Sequence, residues 1–145
     1  MFRVLQIDHV ELFVPDRYEA AGWYERVLGL RIVPGYESWA ASEGPLMISS
    51  DEGNTKLALF EGDPAPAPST ASFRRVAFRV TARGFAEFIH RLPELGLMDA
   101  RHEPVTRGAI VDHQQAYSIY FCDPYGHLLE VTTYDYAEAT RSLSD

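Results

Sequence analysis

The stretch IDHVELFVPDRYEAAGWYERVLGL, Ile7 to Leu30, decides the fold. Its first eight residues alternate. Val10, Leu12 and Val14 share one face, while His9, Glu11 and Phe13 share the other, the period of a half-buried strand. Pro15-Asp16 ends that strand, and Asp16 with Glu19 three residues on has the form of a capping box. Ala20, Trp23, Tyr24, Val27 and Leu28 then fall at i, i+3, i+4, i+7 and i+8, one apolar helical stripe. Gly29 closes the helix as its C-terminal cap.

Outward from this unit, strands are predicted near Arg31–Val33, Tyr36–Ser42, Leu46–Ser49 and Lys56–Glu61, separated by Pro- and Gly-containing turns. A connector, GDPAPAPSTAS, follows, whose proline spacing forbids helix. Then RVAFRV, Arg75 to Val80, repeats the opening strand, with Val76, Phe78 and Val80 on one face and Arg75, Ala77 and Arg79 on the other. Phe85, Phe88, Ile89 and Leu92 form a second helical stripe, predicted to be cut by Pro93. The triplet Leu28-Gly29-Leu30 recurs as Leu95-Gly96-Leu97. Further strands are expected at Ala100–Arg107, Ser118–Cys122 and His127–Tyr134, with Asp123-Pro124-Tyr125-Gly126 as the last turn. The tail from Ala137 is polar and is expected to fray.

The chain is therefore an internal duplication with an offset of about 66 residues. We read residues 1–145 as one domain made of a first module (5–62), a Pro-rich linker (63–72) and a second module (73–136). A chain of this size buries about 68–70% of its unfolded surface, enough for one core. Its formal net charge of −8 opposes binding to nucleic acid and to anionic membranes. No run of about 18 apolar residues and no signal-type h-region is found, so the expected location is cytoplasmic. Cys122 is the only cysteine and reads as a small buried thiol.

The opening IDHVELFVPDRYEAAGWYERVLGL and the closing SIYFCDPYGHLLEVTTYD together resemble the vicinal oxygen chelate superfamily of glyoxalases, bleomycin- and fosfomycin-resistance proteins and extradiol dioxygenases. The likeness runs from about Ile7 to Tyr134. It implies an α+β fold of two βαβββ modules forming an open, curled mixed sheet. It also implies one divalent ion, Fe(II), Mn(II), Zn(II) or Ni(II), held by side chains of the first and last strands of the modules. His9 and Glu130 stand at two of the four ligand positions. The second-module histidine is replaced by Arg75, and the remaining position falls on or near Leu57.

An imidazole binds a metal and a guanidinium does not, so three accounts of Arg75 stand open. It pairs with Glu130 in a metal-free cavity; or His113 completes the site as ligand or acid/base group; or the repeat register is shifted. Tyr120 matches the strand position of a catalytic tyrosine in the extradiol enzymes. Glu11 shares the face of His9 and is a candidate ligand, base or partner of Arg79. Phe13, Trp39, Arg75 and Arg79 are expected to line a substrate pocket, whereas His90, His102 and His127 read as solvated. Two functions follow. One is a dioxygenase- or lyase-like small-molecule enzyme with catalytic His113, Tyr120 and Glu11 and a metal on His9 and Glu130; glyoxalase I activity itself is disfavoured. The other is a metal-free drug-sequestering protein. A homodimer is expected in either case.

Overall fold

The computed structural model describes residues 1–3, 5–64 and 75–145. Two compact units are present, Met1–Pro66 and Ala67–Asp145. The linker expected at 63–72 and the start of the second module lie outside the described residues from position 65 to 74.

Unit 1 comprises β1 (His9–Val14), α1 (Arg17–Leu28), β2 (Arg31–Ile32), a short α2 (Glu37–Ala40), β3 (Leu46–Ser49) and β4 (Lys56–Glu61). Its sheet is open, in the order β1-β4-β3-β2, with β1 parallel to β4 and the other pairs antiparallel. The alternation read from the sequence holds. Leu12 and Val14 are buried, while His9, Glu11 and Phe13 are exposed. Tyr24, Val27, Leu46, Ile48 and Leu59, each at most 2% exposed, form the core between helix and sheet. The cap of α1 is as predicted. Asp16 Oδ1 accepts the N–H groups of Tyr18 and Glu19 at 2.9 and 3.0 Å.

Unit 2 repeats the plan with β5 (Arg75–Arg79), α3 (Ala82–Leu95), β6 (Val111–Asp112), β7 (Tyr117–Cys122), β8 (Leu128–Thr133) and α4 (Tyr136–Ser144). The sheet order is β5-β8-β7-β6, with β5 parallel to β8, the same topology as unit 1. Phe85, Ile119, Phe121, Leu129 and Val131 form its core. Both helices end on the glycine of the repeated triplet. Gly29 and Gly96 sit at φ of +72° and +59°, left-handed positions that glycine takes without the usual penalty.

Four expectations are corrected. Tyr36–Ser42 contains the short helix α2 and no strand; Ala40 alone is buried there, and Trp39 O ends the turn by accepting from Gly44 N at 2.8 Å. The strand expected at Ala100–Arg107 is a turn: Asp99 Oδ1 holds the N–H groups of Arg101 and Glu103, and His102 has φ of +61°. Helix α3 continues through Pro93 to Leu95, because Leu92 and Leu95 on either side are both buried in the core and packing outweighs the proline defect. The tail is the helix α4, held by Tyr136 stacked on Tyr117 (centroids 4.8 Å apart, planes at 8°), by the Tyr117–Thr140 hydroxyl bond and by buried Ala139. No described helix is long and apolar enough to cross a membrane.

Candidate functional site

In unit 1, His9 opens β1 and points away from the helix. Its register partner on β4 is Lys56, Glu11 is opposite Ala58, and Phe13 is opposite Phe60, so these six residues share the face turned from α1. Asp8 precedes the strand and hence escapes the pleat. Its Oδ2 lies 2.8 Å from His9 Nδ1, and its Oδ1 accepts from Lys56 Nζ at 3.0 Å. Lys56 is only 8% exposed and also donates to Gly53 O at 2.7 Å. Glu11 Oε1 faces the other imidazole nitrogen, Nε2, at 3.5 Å. The bond from Asp8, and secondarily Glu11, raises the His9 pKa above its usual value; the same bond, with help from Lys56, lowers that of Asp8.

In unit 2, Arg75 opens β5 as His9 opens β1. Its register partner on β8 is Leu128; Glu130 is opposite Ala77 on β5 and Tyr120 on β7. Arg75, Glu130 and Tyr120 therefore share a face. The Arg75–Glu130 ion pair, one of the three accounts of Arg75, is absent among the described residues. The Arg75 guanidinium instead lies 4.5 Å from the centroid of the Tyr120 ring, a cation–π contact, and Glu130 is half-buried with no ion pair among the described residues. The Tyr120 hydroxyl shares a hydrogen bond with His113 Nε2 at 2.8 Å, the rings edge to face. Guanidinium, phenol and imidazole thus stand in series on one unit.

A groove of about 310 Å³ opens beside this series, lined by Arg75, Tyr120, Phe121, Leu128 and the loop residues Asp99, Ala100 and Arg101. Of the residues expected to line a pocket, Arg75 is in this groove. Arg79 is at the far end of β5 over Tyr134, 5.3 Å from its ring. Phe13 packs on Phe60 and is 47% exposed, and Trp39 stacks on Tyr36, both pairs within unit 1.

The superfamily's metal can be tested against these donors. His9 suits one: a carboxylate on Nδ1 orients the ring and leaves Nε2, with Glu11 beside it, as the ligand atom. Glu130 puts a carboxylate at a second place, whereas the remaining two hold Arg75 and an apolar residue. Since His9 pairs with Lys56 as Arg75 pairs with Leu128, the unit 1 counterpart of Glu130 is two residues beyond Lys56, which is Ala58 rather than Leu57. Ala58 is buried in an apolar cluster with Val33 and Met47, against which Phe60 packs, and Leu57 faces the core. Within either unit, no three described His, Cys, Asp or Glu side chains are grouped to hold an ion. Neither unit by itself therefore supplies the three protein ligands of a catalytic zinc site.

Reasoning from sequence missed Asp8, Lys56 and Arg101. It also misread His127, which is bound to the buried carboxylate of Asp123 at 2.5 Å and not solvated. The signal lay in the turn, where Asp123 also accepts the N–H groups of Tyr125 and His127. His90 and His102 are exposed as expected, and Cys122 is half-buried with a thiol pKa raised by burial.

The family model for the Glyoxalase/Bleomycin resistance protein/Dioxygenase superfamily matches residues 6–131. No curated protein matches the chain. Among solved structures, the oxidase ChaP-H2 is 25% identical over 94% of this chain and 99% of its own, with a TM-score of 0.67. A glyoxalase/dioxygenase from Nostoc punctiforme is 26% identical over 89% of this chain and 90% of its own, TM-score 0.64. The fosfomycin resistance protein FosX from Listeria monocytogenes, in complex with Mn(II) and sulfate, is 18% identical over 96% and 98%, TM-score 0.62, and is similar in fold alone.

Proposed function

Since the chain belongs to the Glyoxalase/Bleomycin resistance protein/Dioxygenase superfamily, we propose that it is a small-molecule enzyme, dioxygenase- or lyase-like, acting on a substrate with vicinal oxygens. The observation that carries this reading is the 2.8 Å bond between Tyr120 and His113 beneath the Arg75 cation. Sequestering a ligand has no use for a phenol–imidazole pair, whereas such a pair is equipped to move a proton to or from a bound oxygen. In this reading Arg75 stabilises negative charge on the substrate oxygen, Tyr120 exchanges a proton with it, and His113 takes up or returns that proton at Nε2. The names oxidase and glyoxalase/dioxygenase carried by two relatives at 25 and 26% identity support it from outside the chain.

His9, with Glu11 beside it as accessory ligand or base, and Glu130 are each proposed as a donor to a divalent ion. Such an ion supplies Lewis-acid polarisation of vicinal oxygens when bound. The proton steps above belong to the chain's own residues. A metal-free binding protein is the second reading, favoured by Arg75 and Ala58 standing at two of the four ligand places. A cytoplasmic homodimer completes the proposal, and sedimentation velocity measures the oligomeric part.

The test is a turnover screen of the purified chain against catechols, 2-oxoaldehydes and α-hydroxyketones. Turnover is expected, with Tyr120→Phe lowering kcat by about a hundredfold, the usual size of a general acid–base contribution. Binding without turnover of any class hands the case to the second reading. Elemental analysis decides the metal separately; protein that takes up none of the four ions on incubation removes His9 and Glu130 as ligands.

A further inference from the structure

We infer that the unit 2 groove beside Tyr120 is a binding site for a single-ring organic anion, whose negative group is taken by the guanidinium groups of Arg75 and Arg101. The inference names the ligand class for the reading above and rests on it in treating this face as the one that meets substrate.

Three observations carry it. The first is charge left over. The chain carries a formal −8, so carboxylates outnumber cations; Arg17, Arg31 and Arg83 each stand within 4 Å of one, while Arg79 lies over Tyr134 and Arg107 donates to the Leu143 carbonyl. Arg75 and Arg101 line one groove, and neither forms an ion pair among the described residues. Arg75 stacks on the face of Tyr120, which positions the cation, and its N–H fork has no hydrogen-bond acceptor among the described residues. The groove's one carboxylate, Asp99, accepts the backbone N–H groups of Arg101 and Glu103 at Oδ1, 2.8 and 3.0 Å away, and keeps its single negative charge, which also acts on Arg101. One anion against two cations leaves the groove net positive.

The second is shape and lining. Tyr120, Phe121, Leu128 and Ala100 supply apolar wall beside the two cations. Apolar surface with a few placed polar groups is what binds an organic molecule rather than a bare ion. The third is size. At about 310 Å³ the groove lies at the small end of ligand sites, with room for one ring and its substituents. An aromatic or enolic ring carrying a carboxylate or ionised oxygen beside a second oxygen satisfies all three. Its ring covers the apolar wall, its charge meets the Arg75 fork, and the adjacent oxygen lies on the Tyr120 side.

Titration calorimetry of the full chain with salicylate, salicylamide and inorganic phosphate tests this. Salicylate has ring, charge and adjacent oxygen; salicylamide lacks the charge, and phosphate lacks the ring. Salicylate is expected to bind one per chain, at least about tenfold tighter than either control, the scale of a charge-assisted contact. Arg75→Gln and, separately, Arg101→Gln should reduce that preference, Arg75→Gln abolishing it. Arg75→Lys, which keeps charge and loses the fork, should fall between. Both arginines are exposed, and a near-ultraviolet circular dichroism spectrum like that of the parent establishes that the variants fold. Equal affinity for salicylate and salicylamide, a salicylate affinity indifferent to Arg75→Gln, or phosphate binding as tightly as salicylate each overturns the inference. Charge-selective binding without turnover in the substrate screen leaves this inference standing and removes the enzyme reading. Turnover without charge selectivity does the reverse.

Discussion

His9 shows how one neighbour sets the chemistry of a side chain. Its Nδ1 is held by Asp8, and that bond is the largest cause of its raised pKa. Asp8→Asn should therefore lower the His9 pKa toward its usual 6.5, a change read directly by NMR titration of the imidazole. The stability effect has two edges. A raised His9 pKa means the charged pair stabilises the fold below about pH 6.5 and is lost as pH rises through the folded value. A lowered Asp8 pKa means its contribution is present above 3.8 and lost as pH falls through its own folded value. The gap between parent and Asp8→Asn is widest between those limits and narrows at higher pH without closing, since Lys56 still binds Asp8 there. An Asp8–His9 link across the strand face was not legible in the sequence. Strict alternation sends neighbouring side chains to opposite sides, and only the structure shows that β1 starts at His9, one residue after Asp8.

At the scale of elements, the parts read correctly are those whose signals are local. The cap of α1 is one: Asp16→Ala leaves two first-turn N–H groups without their acceptor and should cost about 1 kcal/mol, measured as a lower urea midpoint with unchanged slope. The strand faces of β1 and β5 and the glycine stop at Gly29 are others. The elements read wrongly depend on distant partners. Tyr136, Ala139 and Leu143 fall at i, i+3 and i+7, a helical spacing that the polar composition of the tail hid, and only Ala139 among them is buried. The order of α4 comes from Tyr117 and Arg107, which lie far back along the chain and bond to Thr140 and the Leu143 carbonyl. Pro93 misled for the same reason. Its penalty is local, while the burial of Leu92 and Leu95 that outweighs it is not.

For the molecule as a whole, duplication is the organising fact, and it yields a prediction. Two sheets with the same strand order put Arg75 where His9 stands. Restoring the imidazole with Arg75→His should create or tighten divalent-metal binding, followed by calorimetry with Mn(II) and Zn(II). Unchanged binding would count against the ligand places implied by the family. Glu130 would share a face with the new imidazole, whereas the place equivalent to Glu130 in unit 1 is closed by the apolar cluster around Ala58.

By itself the sequence determined the repeat, both strand faces, the stop of the first helix and the superfamily, since each is written in spacing a few residues long. Tertiary structure alone decided the partners: Arg75 over Tyr120 instead of beside Glu130, His127 on Asp123, Arg101 at the groove. The physical reason is that spacing along a chain fixes which way a side chain points, whereas the neighbour it meets depends on register between strands and on loops folding back over them. Charge and hydrogen bonding act only at that contact distance.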